Sequence, residues 1–458
     1  MFDHTDSGEP SVSDLDHDIE PDALQYDALV VGAGAGGLAA AARLNAAGFS
    51  TLLVEERAEV GGRASTVDID GFLVNTGALV IEQGGENGRL FSDIGVAMGT
   101  RVPRQPLVLR FGKRDIPVMS GPTGFVFRML LAVVGGLARR WPRLRPARGK
   151  TLEELLEARG ANAFVRGLMR NLTTAVFAAE PRDVEAAVFF DYFTKPNAMD
   201  IYAMHPEGTI GPWRALADHF ERTGGTLWLN SEVIGFSFND EGLVAGASIR
   251  RPDGTAHVGV RVVVSNAGPV ATVRMCGDAN LPPGYAESVR AQSNPSTLIT
   301  VNYASRQPLL GSASGVVFFG PTRRLAYAAE PTATCPEVAP AGWRLFLAAS
   351  TPHPATGEFD EESEVKLLMD DLREHCPGFD DARILSVQIC AGEKWPAQRA
   401  VAGRDLPQDT PISNLFNVGD GVREWATGGQ SGCVQSARLV TERITARFVP
   451  GRSALPTS

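Results

Sequence analysis

Residues 30–44 read VVGAGAGGLAAAARL, which places four glycines between an apolar run and an alanine-rich segment. The run YDALVVG, ending at Gly32, has the length of a buried strand, and the alanine-rich segment predicts a helix that ends near Gly48. The following stretch STLLVEE, from Ser50, predicts a second strand. Together these elements form a βαβ unit of about 30 residues, as in a parallel α/β sheet.

The glycines at this junction fit the pattern G-x-G-x-x-G. Gly32 permits the tight turn, Gly34 lets a pyrophosphate approach the backbone, and Gly37 lets the helix pack closely on the strand. The helix N-terminus offers free N–H groups and a partial positive charge to phosphates. Glu55, at the end of the second strand, is placed to accept hydrogen bonds from ribose hydroxyls and to repel the extra phosphate of NADP. The unit therefore predicts a dinucleotide site.

Composition narrows the class of protein. The chain has 458 residues and a net charge of −10, but the acidic excess lies in residues 1–25, which predict a disordered tail. The rest of the chain is nearly neutral, which gives no support for nucleic-acid binding. The five cysteines are far apart and no secretory signal is visible, so we expect a reducing, cytoplasmic location. The seven histidines show no ligand spacing, so we expect no metal site.

A second motif follows the βαβ unit, in the stretch EVGGRAST. Gly61 and Gly62 offer another bare stretch of backbone, and Arg63 offers a cation that can pair with phosphate. The stretch resembles a motif of the glutathione-reductase-like flavoprotein superfamily, which includes flavin amine oxidases and phytoene desaturases. The resemblance implies that the dinucleotide is FAD.

The C-terminal stretch NLFNVGDG, followed by TGGQSG, resembles the flavin motif of phytoene desaturases and carotenoid isomerases. In that motif a Gly-Asp pair, here Gly419 and Asp420, ends a strand, and the resemblance implies that Asp420 binds the ribityl chain. Ser431 and Gly432 would then bring the next helix N-terminus against the pyrimidine side of the flavin. A helix N-terminus stabilises a nearby anion by about 0.3–1 kcal/mol, and reduced flavin carries such a charge.

Two middle stretches resemble further parts of the same family. GFLVNTGALVI matches the segment that lays backbone along the flavin ring, here at Gly77 and Ala78, although Asn75 replaces the more usual Asp. HPEGTIGPW matches the family's P-x-G-G helix, with Thr209 in place of the second glycine. The strand that follows would place Val233 against the adenine.

The resemblance implies an α/β fold, with a glutathione-reductase-like Rossmann FAD-binding domain and a discontinuous, mixed α+β substrate domain. We expect the FAD-binding domain to comprise residues 26–78, 204–274 and 410–448. The substrate domain would comprise residues 79–203 and 275–409, and residues 449–458 would form a second tail.

The resemblance also implies an FAD-dependent oxidoreductase that transfers a hydride between flavin and a carbon–carbon unit of a small apolar or isoprenoid-like substrate. The alternatives are a flavin amine oxidase and a redox-neutral C=C isomerase; a redox-inactive FAD scaffold is a third class. Amine oxidases usually flank the flavin with two aromatic residues, and Trp425 is one candidate with no second nearby.

The sequence also bears on the electron acceptor and on the catalytic residues. Only one dinucleotide fingerprint is visible, which favours oxygen or a quinone as the electron acceptor over a bound NADPH. Flavin chemistry needs no dedicated acid or base, so the catalytic residues stay unassigned. Lys394, Trp395 and Arg399 are interpreted as surface and core residues rather than pocket residues. The sequence does not predict the oligomeric state.

Residues 125–150 form an apolar run followed by a basic cluster, with no acid between Asp115 and Glu153. The run of about 14 residues, interrupted by Arg128, is shorter than the ~20 that span a bilayer. It predicts either a lid helix over the pocket, which we favour, or a helix on the inner face of an anionic membrane.

Overall fold

The computed structural model of the chain describes residues 24–194, 202–311, 315–392 and 405–451. The described residues form eighteen β-strands: β1 Leu24–Val31, β2 Thr51–Val54, β3 Thr66–Ile69, β4 Phe72–Asn75, β5 Ile81–Glu82, β6 Leu107–Phe111, β7 Arg114–Pro117, β8 Tyr202–Ala203, β9 Thr226–Trp228, β10 Glu232–Phe238, β11 Val244–Arg251, β12 Gly254–Ser265, β13 Leu298–Ser305, β14 Val316–Phe319, β15 Tyr327–Ala329, β16 Arg344–Ser350, β17 Arg383–Cys390 and β18 Leu415–Asn417.

The described residues also form eleven α-helices: α1 Ala35–Ala46, α2 Gly85–Ile94, α3 Gly121–Arg140, α4 Leu152–Ala158, α5 Ala163–Phe177, α6 Ala186–Thr194, α7 Gly211–Arg222, α8 Pro269–Cys276, α9 Tyr285–Gln292, α10 Glu361–His375 and α11 Gly429–Arg447. Short 3₁₀ turns connect several of them. The strands assemble into two seven-stranded sheets and two small two-stranded sheets.

The first large sheet has the order β10-β11-β12-β1-β2-β9, and β18 pairs in parallel with β12. β1 lies in parallel between β2 and β12, and its central residues are buried on both sides, as expected for a run such as ALVV. Helices α1, α7 and α11 pack on one face, and α8 and α9 cover the other. The α/β fold with a Rossmann βαβ unit at its centre is confirmed.

One boundary of the sequence analysis is wrong. Residues 24 and 25, assigned to the acidic tail, belong to β1, where Leu24 pairs with Val258 and Gln25 with Gly259. Backbone pairing to β12 therefore extends the sheet by two residues beyond the apolar run that was visible in the sequence. The remainder of that tail lies outside the described residues.

The second large sheet has the order β17-β13-β16-β15-β14-β6-β7 and is mostly antiparallel. All of its strands come from residues 107–117 and 298–390. Helix α10 covers one face through Leu368 and Leu372, while the other face carries an apolar cluster that includes Leu298 and Phe318. This second face turns toward the first sheet, and the cavity described below lies between them.

Helix α3 differs from the sequence expectation in length. It extends over twenty residues, because residues 121–124 and 139–140 continue the helix beyond the apolar run. By length and composition it is the one helix among the described residues that could cross a membrane, yet only 17% of its most apolar window is buried. None of its residues lines the cavity, so it does not form the expected lid.

Candidate active site

A cavity of about 590 Å³ lies between the two large sheets. This volume falls within the range of ordinary small-molecule sites. The side of the cavity formed by the glycine-rich junctions and charged residues is called the motif wall here: Gly32, Gly34, Glu55, Gly62, Arg63, Val233, Asp420 and Arg423. The opposite side is called the apolar wall: Leu79, Phe177, Tyr192, Leu298, Val316, Phe318, Tyr327, Ile389 and Cys390.

Bare backbone forms the centre of the motif wall. Gly32 has a φ of +88° and Gly62 a φ of +55°, and a Cβ added to Gly62 would lie 3.2 Å from the Cα of Gly34. Helix α1 begins directly behind this cradle, with Gly34 as N-cap, no side-chain cap and no acid in its first turn. Its N–H groups and positive end are therefore available to a phosphate, which fits the pyrophosphate of a dinucleotide.

Gly37 has a different role in the same motif. It does not line the cavity, and a Cβ there would lie 1.8 Å from the carbonyl oxygen of Gly32. Only glycine allows α1 to pack this closely on the turn that follows β1, so the motif both opens the cradle and fixes the helix behind it.

Glu55 is held on the motif wall by backbone donors. The N–H of Ala33 donates to Oε2 of Glu55 at 2.7 Å, and the N–H of Arg57 donates to Oε1 at 3.1 Å. Burial raises the pKa of Glu55 above its ordinary value. These two hydrogen bonds orient the carboxylate at the end of β2, where it lines the cavity and can accept further hydrogen bonds from ribose hydroxyls.

The charged part of the motif wall joins residues from opposite ends of the chain. Nη1 of Arg63 lies 3.0 Å from Oδ2 of Asp420, and Nη1 of Arg423 lies 3.2 Å from Oδ1 of the same carboxylate. Asp405 is a second partner of Arg423, at 3.3 Å from its Nε. Burial lowers the pKa of Arg423, but Asp420 and Asp405 outweigh that effect and raise it overall. Arg423 and Asp405 were not predicted from the sequence.

The N-terminus of α11 reaches the cavity through neighbours of the predicted residues. Gly429, Gln430 and Cys433 line the cavity, whereas Ser431 and Gly432 do not. The side chains in a helix point in different directions, so a motif match to the whole turn does not identify which residues face the ligand. Gly419, with a φ of +104°, also lies outside the lining, and its N–H donates to Oγ of Ser436 at 2.8 Å.

Glu82, which was not predicted from the sequence, faces the N-terminus of α11. It lines the cavity from β5, and its Oε2 accepts a hydrogen bond from the N–H of Ser431 at 2.6 Å. A carboxylate therefore already faces the positive end of α11. No short motif surrounds Glu82, so the sequence offered no signal for it.

The two departures from the family pattern contact one another. Oδ1 of Asn75 accepts a hydrogen bond from the N–H of Thr209 at 3.0 Å and another from Oγ1 of Thr66. Asn75 and Thr209 are both buried. Nearby, Gly77 and Ala78 line the cavity, as does Val233 from β10. Asn75 and Thr209, the two departures from the family pattern, thus form one hydrogen-bonded contact behind the cavity. The roles of Gly77, Ala78 and Val233 in binding the cofactor stay predictions.

The apolar wall draws its side chains from several strands of the second sheet and from α5 and α6. Phe318 and Tyr327 are register partners on β14 and β15, with ring centroids 6.1 Å apart. Burial raises the pKa of Tyr327, and it raises the pKa of Cys390 to about 11, so both groups are protonated at neutral pH. Among the described residues, the second sheet contributes no charged side chain to the cavity.

Trp425 is not part of this lining. Its Nε1 donates to Oδ2 of Asp191 at 2.8 Å, and it packs against the aromatic cluster of Phe177 and Tyr192. Trp425, the candidate for one of the two aromatic residues that an amine oxidase would place against the flavin, therefore does not face the cavity, and the aromatic rings of the lining come from other elements. Lys394, Trp395 and Arg399 lie outside the described residues.

One group of possible metal ligands occurs among the described residues, at Asp371, Glu374 and His375 on α10. Arg323 forms ion pairs with both Asp371 and Glu374, and the N–H of Leu325 also donates to Asp371 at 2.9 Å. The carboxylates of Asp371 and Glu374 therefore belong to an ion-pair network that attaches α10 to the second sheet.

The Rossmann unit, the glycine cradle and the carboxylate at the end of β2 define a dinucleotide-binding protein. The model of the family described as flavin containing amine oxidoreductase matches residues 35–445, and the chain belongs to that family. It is an FAD-dependent oxidoreductase, as the resemblance implied.

Individual relatives agree with this assignment. The chain is 27% identical over 392 residues to a lycopene-forming phytoene desaturase from a Paracoccus species, covering 73% of this chain and 76% of that protein. Its fold is similar to that of an oxidoreductase from Methanosarcina mazei, with a TM-score of 0.76, 23% identity and coverage of 91% and 100%. Putrescine oxidase is a further structural neighbour, with a TM-score of 0.67, 18% identity and coverage of 93% and 100%.

Proposed function

We propose that the protein transfers a hydride between FAD and a carbon–carbon unit of a largely apolar, isoprenoid-like substrate. The observation that carries this proposal is the apolar wall, where Leu298, Val316 and Phe318 meet the cavity without a charged neighbour from the same sheet. Burying apolar substrate surface there gains about 25 cal/mol per Å². Similarity to a lycopene-forming phytoene desaturase supports the same class of substrate.

The motif wall would bind FAD, and the apolar wall would position the substrate. FAD, when bound, supplies the centre that accepts or donates the hydride. The cradle at Gly32, Gly34 and Gly62 would hold the pyrophosphate, and Glu55 and Asp420 would bind sugar and ribityl hydroxyls. The apolar wall excludes water and orients the substrate carbon. Forming a C=C bond removes a hydride and a proton from adjacent carbons: the hydride would pass to the flavin, and Glu82, a carboxylate on the cavity lining, would accept the proton.

A second candidate is amine oxidation, which the family description names. Glu82 favours it, because it is a carboxylate on the cavity lining that could pair with a substrate ammonium group. A redox-neutral C=C isomerase would use the same two walls and differs only in returning the electrons to its substrate.

The electron acceptor and the location belong to the same proposal. A single dinucleotide fingerprint supports oxygen or a quinone as acceptor, and a quinone would reach the flavin through the apolar wall. We place the enzyme in the cytoplasm, at the inner face of the membrane, where both an isoprenoid and a quinone dissolve.

The test is anaerobic mixing of the oxidised holoprotein with isoprenoids, cyclic ketones and amines, following the loss of flavin absorbance. We expect isoprenoids to bleach the flavin, and reoxidation by oxygen or a short-chain quinone to restore it. Bleaching by amines alone would establish the second candidate instead. If no compound bleaches the flavin, the chemically reduced protein is mixed with polyenes, where a shift of double bonds without net reduction identifies the isomerase.

A further inference from the structure

Helix α3 is apolar on both of its faces. Its inner face is anchored, because Gly135 packs against the carbonyl of Thr194 on α6 and Phe127 packs against the cluster of the apolar wall. Its outer face is exposed and carries six large apolar side chains: Phe125, Val126, Met129, Leu130, Val133 and Leu137. Surface helices normally present polar residues to water, so a contiguous patch of this kind marks a contact surface.

Basic residues lie at the C-terminal end of α3, next to its exposed apolar face. Arg139 and Arg140 end the helix and Arg143 follows, while the neighbouring Trp141 and Leu144 are 54% and 58% exposed. None of these three arginines forms an ion pair within the part of the chain that the structure describes. An apolar face edged by arginines and an indole complements a lipid surface with anionic headgroups.

Both ends of α3 are attached to the rest of the protein, and this restricts the orientation that the helix can take in a bilayer. β7, just before it, pairs with β6 in the second sheet, and the segment after it bridges Thr151 to Glu185 beside α6. A helix crossing the ~30 Å hydrocarbon core would place these two attachments on opposite sides of the membrane. Because both attachments belong to the same compact body, α3 can lie in the membrane surface but not across it.

We propose that α3 and residues 141–144 form a docking surface for an anionic lipid bilayer, with the apolar outer face at the acyl boundary and Arg139, Arg140 and Arg143 at the phosphates. The proposal deepens the membrane location given above and does not depend on the reaction catalysed. It places the bilayer beside the apolar wall, since α3 contacts both the cluster of Phe318 and helix α6, which carries Tyr192. An apolar substrate would then leave the lipid next to its binding wall.

Flotation of the FAD-loaded full chain with vesicles tests the docking surface. We expect binding to phosphatidylcholine vesicles that contain phosphatidylglycerol and much weaker binding to pure phosphatidylcholine. The triple variant Phe125→Ser, Leu130→Ser, Val133→Ser should lower the partition coefficient at least tenfold. Replacing each of Arg139, Arg140 and Arg143 with Gln should lower it on anionic vesicles by about fivefold per residue.

The matched control is Ile384→Ser with Val387→Ser on β17, which removes exposed apolar side chains from another surface. It should float as the unmodified protein does. FAD content and thermal unfolding, measured for every variant, identify a variant that has failed to fold. The arginine variants leave the apolar face intact and so test the proposal even if the serine variant misfolds.

Two results would overturn the proposal. One is an unmodified holoprotein that stays in the soluble fraction with anionic vesicles. The other is a folded serine variant that floats as well as the unmodified protein. Sedimentation could also reveal that the unmodified protein is a dimer and the serine variant a monomer. In that case the apolar face of α3 would bind a second copy of the chain rather than a bilayer. Flavin bleaching in detergent solution tests the reaction separately, so a failure of docking leaves that result interpretable.

Discussion

The two walls of the cavity are built from different kinds of structure. The motif wall consists largely of backbone and of paired charges, and steric limits as tight as the 1.8 Å between a Cβ at Gly37 and the oxygen of Gly32 restrict which residues can form it. The apolar wall consists of side chains such as Leu298 and Phe318, which other apolar residues of similar volume could replace. Each part of the cofactor site is therefore encoded by a short stretch of sequence, although the stretches lie far apart in the chain, whereas the substrate side is formed by single side chains of distant strands.

The largest effect is expected at Gly37, where α1 packs most tightly on the turn behind the motif wall. Gly37→Ala should cost about 3 kcal/mol of folding free energy and abolish FAD binding, because the new methyl group forces α1 away from the turn after β1. Flavin absorbance per chain and urea unfolding measure both effects. Gly136→Ala is the control, since the nearest atom to its Cβ lies 4.0 Å away. A Gly37→Ala protein with a full complement of FAD would contradict the steric account.

The next effect concerns the paired charges. Asp420→Asn should weaken FAD binding by about 10–100-fold, which corresponds to a charged hydrogen bond worth about 1.5–3 kcal/mol. The fold should persist, because Asp405 remains paired with the buried Arg423. Titration of the FAD-free protein with FAD gives the Kd. Asp93→Asn, which removes a surface partner of Arg43, should leave the Kd unchanged. An unchanged Kd in Asp420→Asn would remove Asp420 from the site.

A change on the apolar wall should separate the two walls functionally. Leu298→Asn should leave the FAD content unchanged and slow flavin reduction by an apolar substrate about 10–100-fold, as expected for losing a leucine-sized contact of about 1.5–3 kcal/mol. Stopped-flow absorbance under anaerobic conditions gives the rate. Leu298→Met, which conserves volume, should remain within about threefold of the unmodified protein. Loss of FAD from Leu298→Asn would show that the walls are not independent.

The smallest effect is expected where the sequence departs from the family pattern. Asn75→Asp keeps an acceptor for the N–H of Thr209, so the free energy of unfolding should change by less than about 1 kcal/mol. Asn75→Ala removes that acceptor from a buried donor and should cost about 1–3 kcal/mol. Urea unfolding of the two variants distinguishes them. Equal losses would mean that the hydrogen bond to Thr209 contributes nothing measurable.

These differences explain how far the sequence could be interpreted. The βαβ unit and its glycines were predictable because a short spacing rule encodes them. The pairing of Arg63 with Asp420 was not, although both residues were chosen, because nothing local links the two ends of the chain. Glu82, Tyr192 and Phe318 lie outside any recognisable motif, and only the packing of β5, α6 and the second sheet brings them to the cavity.

The same reasoning applies to the elements that were misjudged. The extra turns of α3 come from residues outside its apolar run, and hydrophobicity alone does not indicate how far a helix continues. The C-terminal motif identified the right turn of α11 but not the residues that face the cavity, since the orientation of the helix depends on how it packs against α1 and α2.

Asp191 joins the segment after α3 to the loop that leads into α11. Its carboxylate pairs with Arg145 and accepts the indole hydrogen of Trp425, while the guanidinium of Arg148 lies 4.2 Å from the centre of the indole ring. Ring emission responds to charges in contact with the ring, and a phosphate that drew Arg148 away would remove one of them. Because the chain has six tryptophans and Trp141 lies in the docking surface itself, the difference in emission between the unmodified protein and Trp425→Phe would isolate this response to lipid.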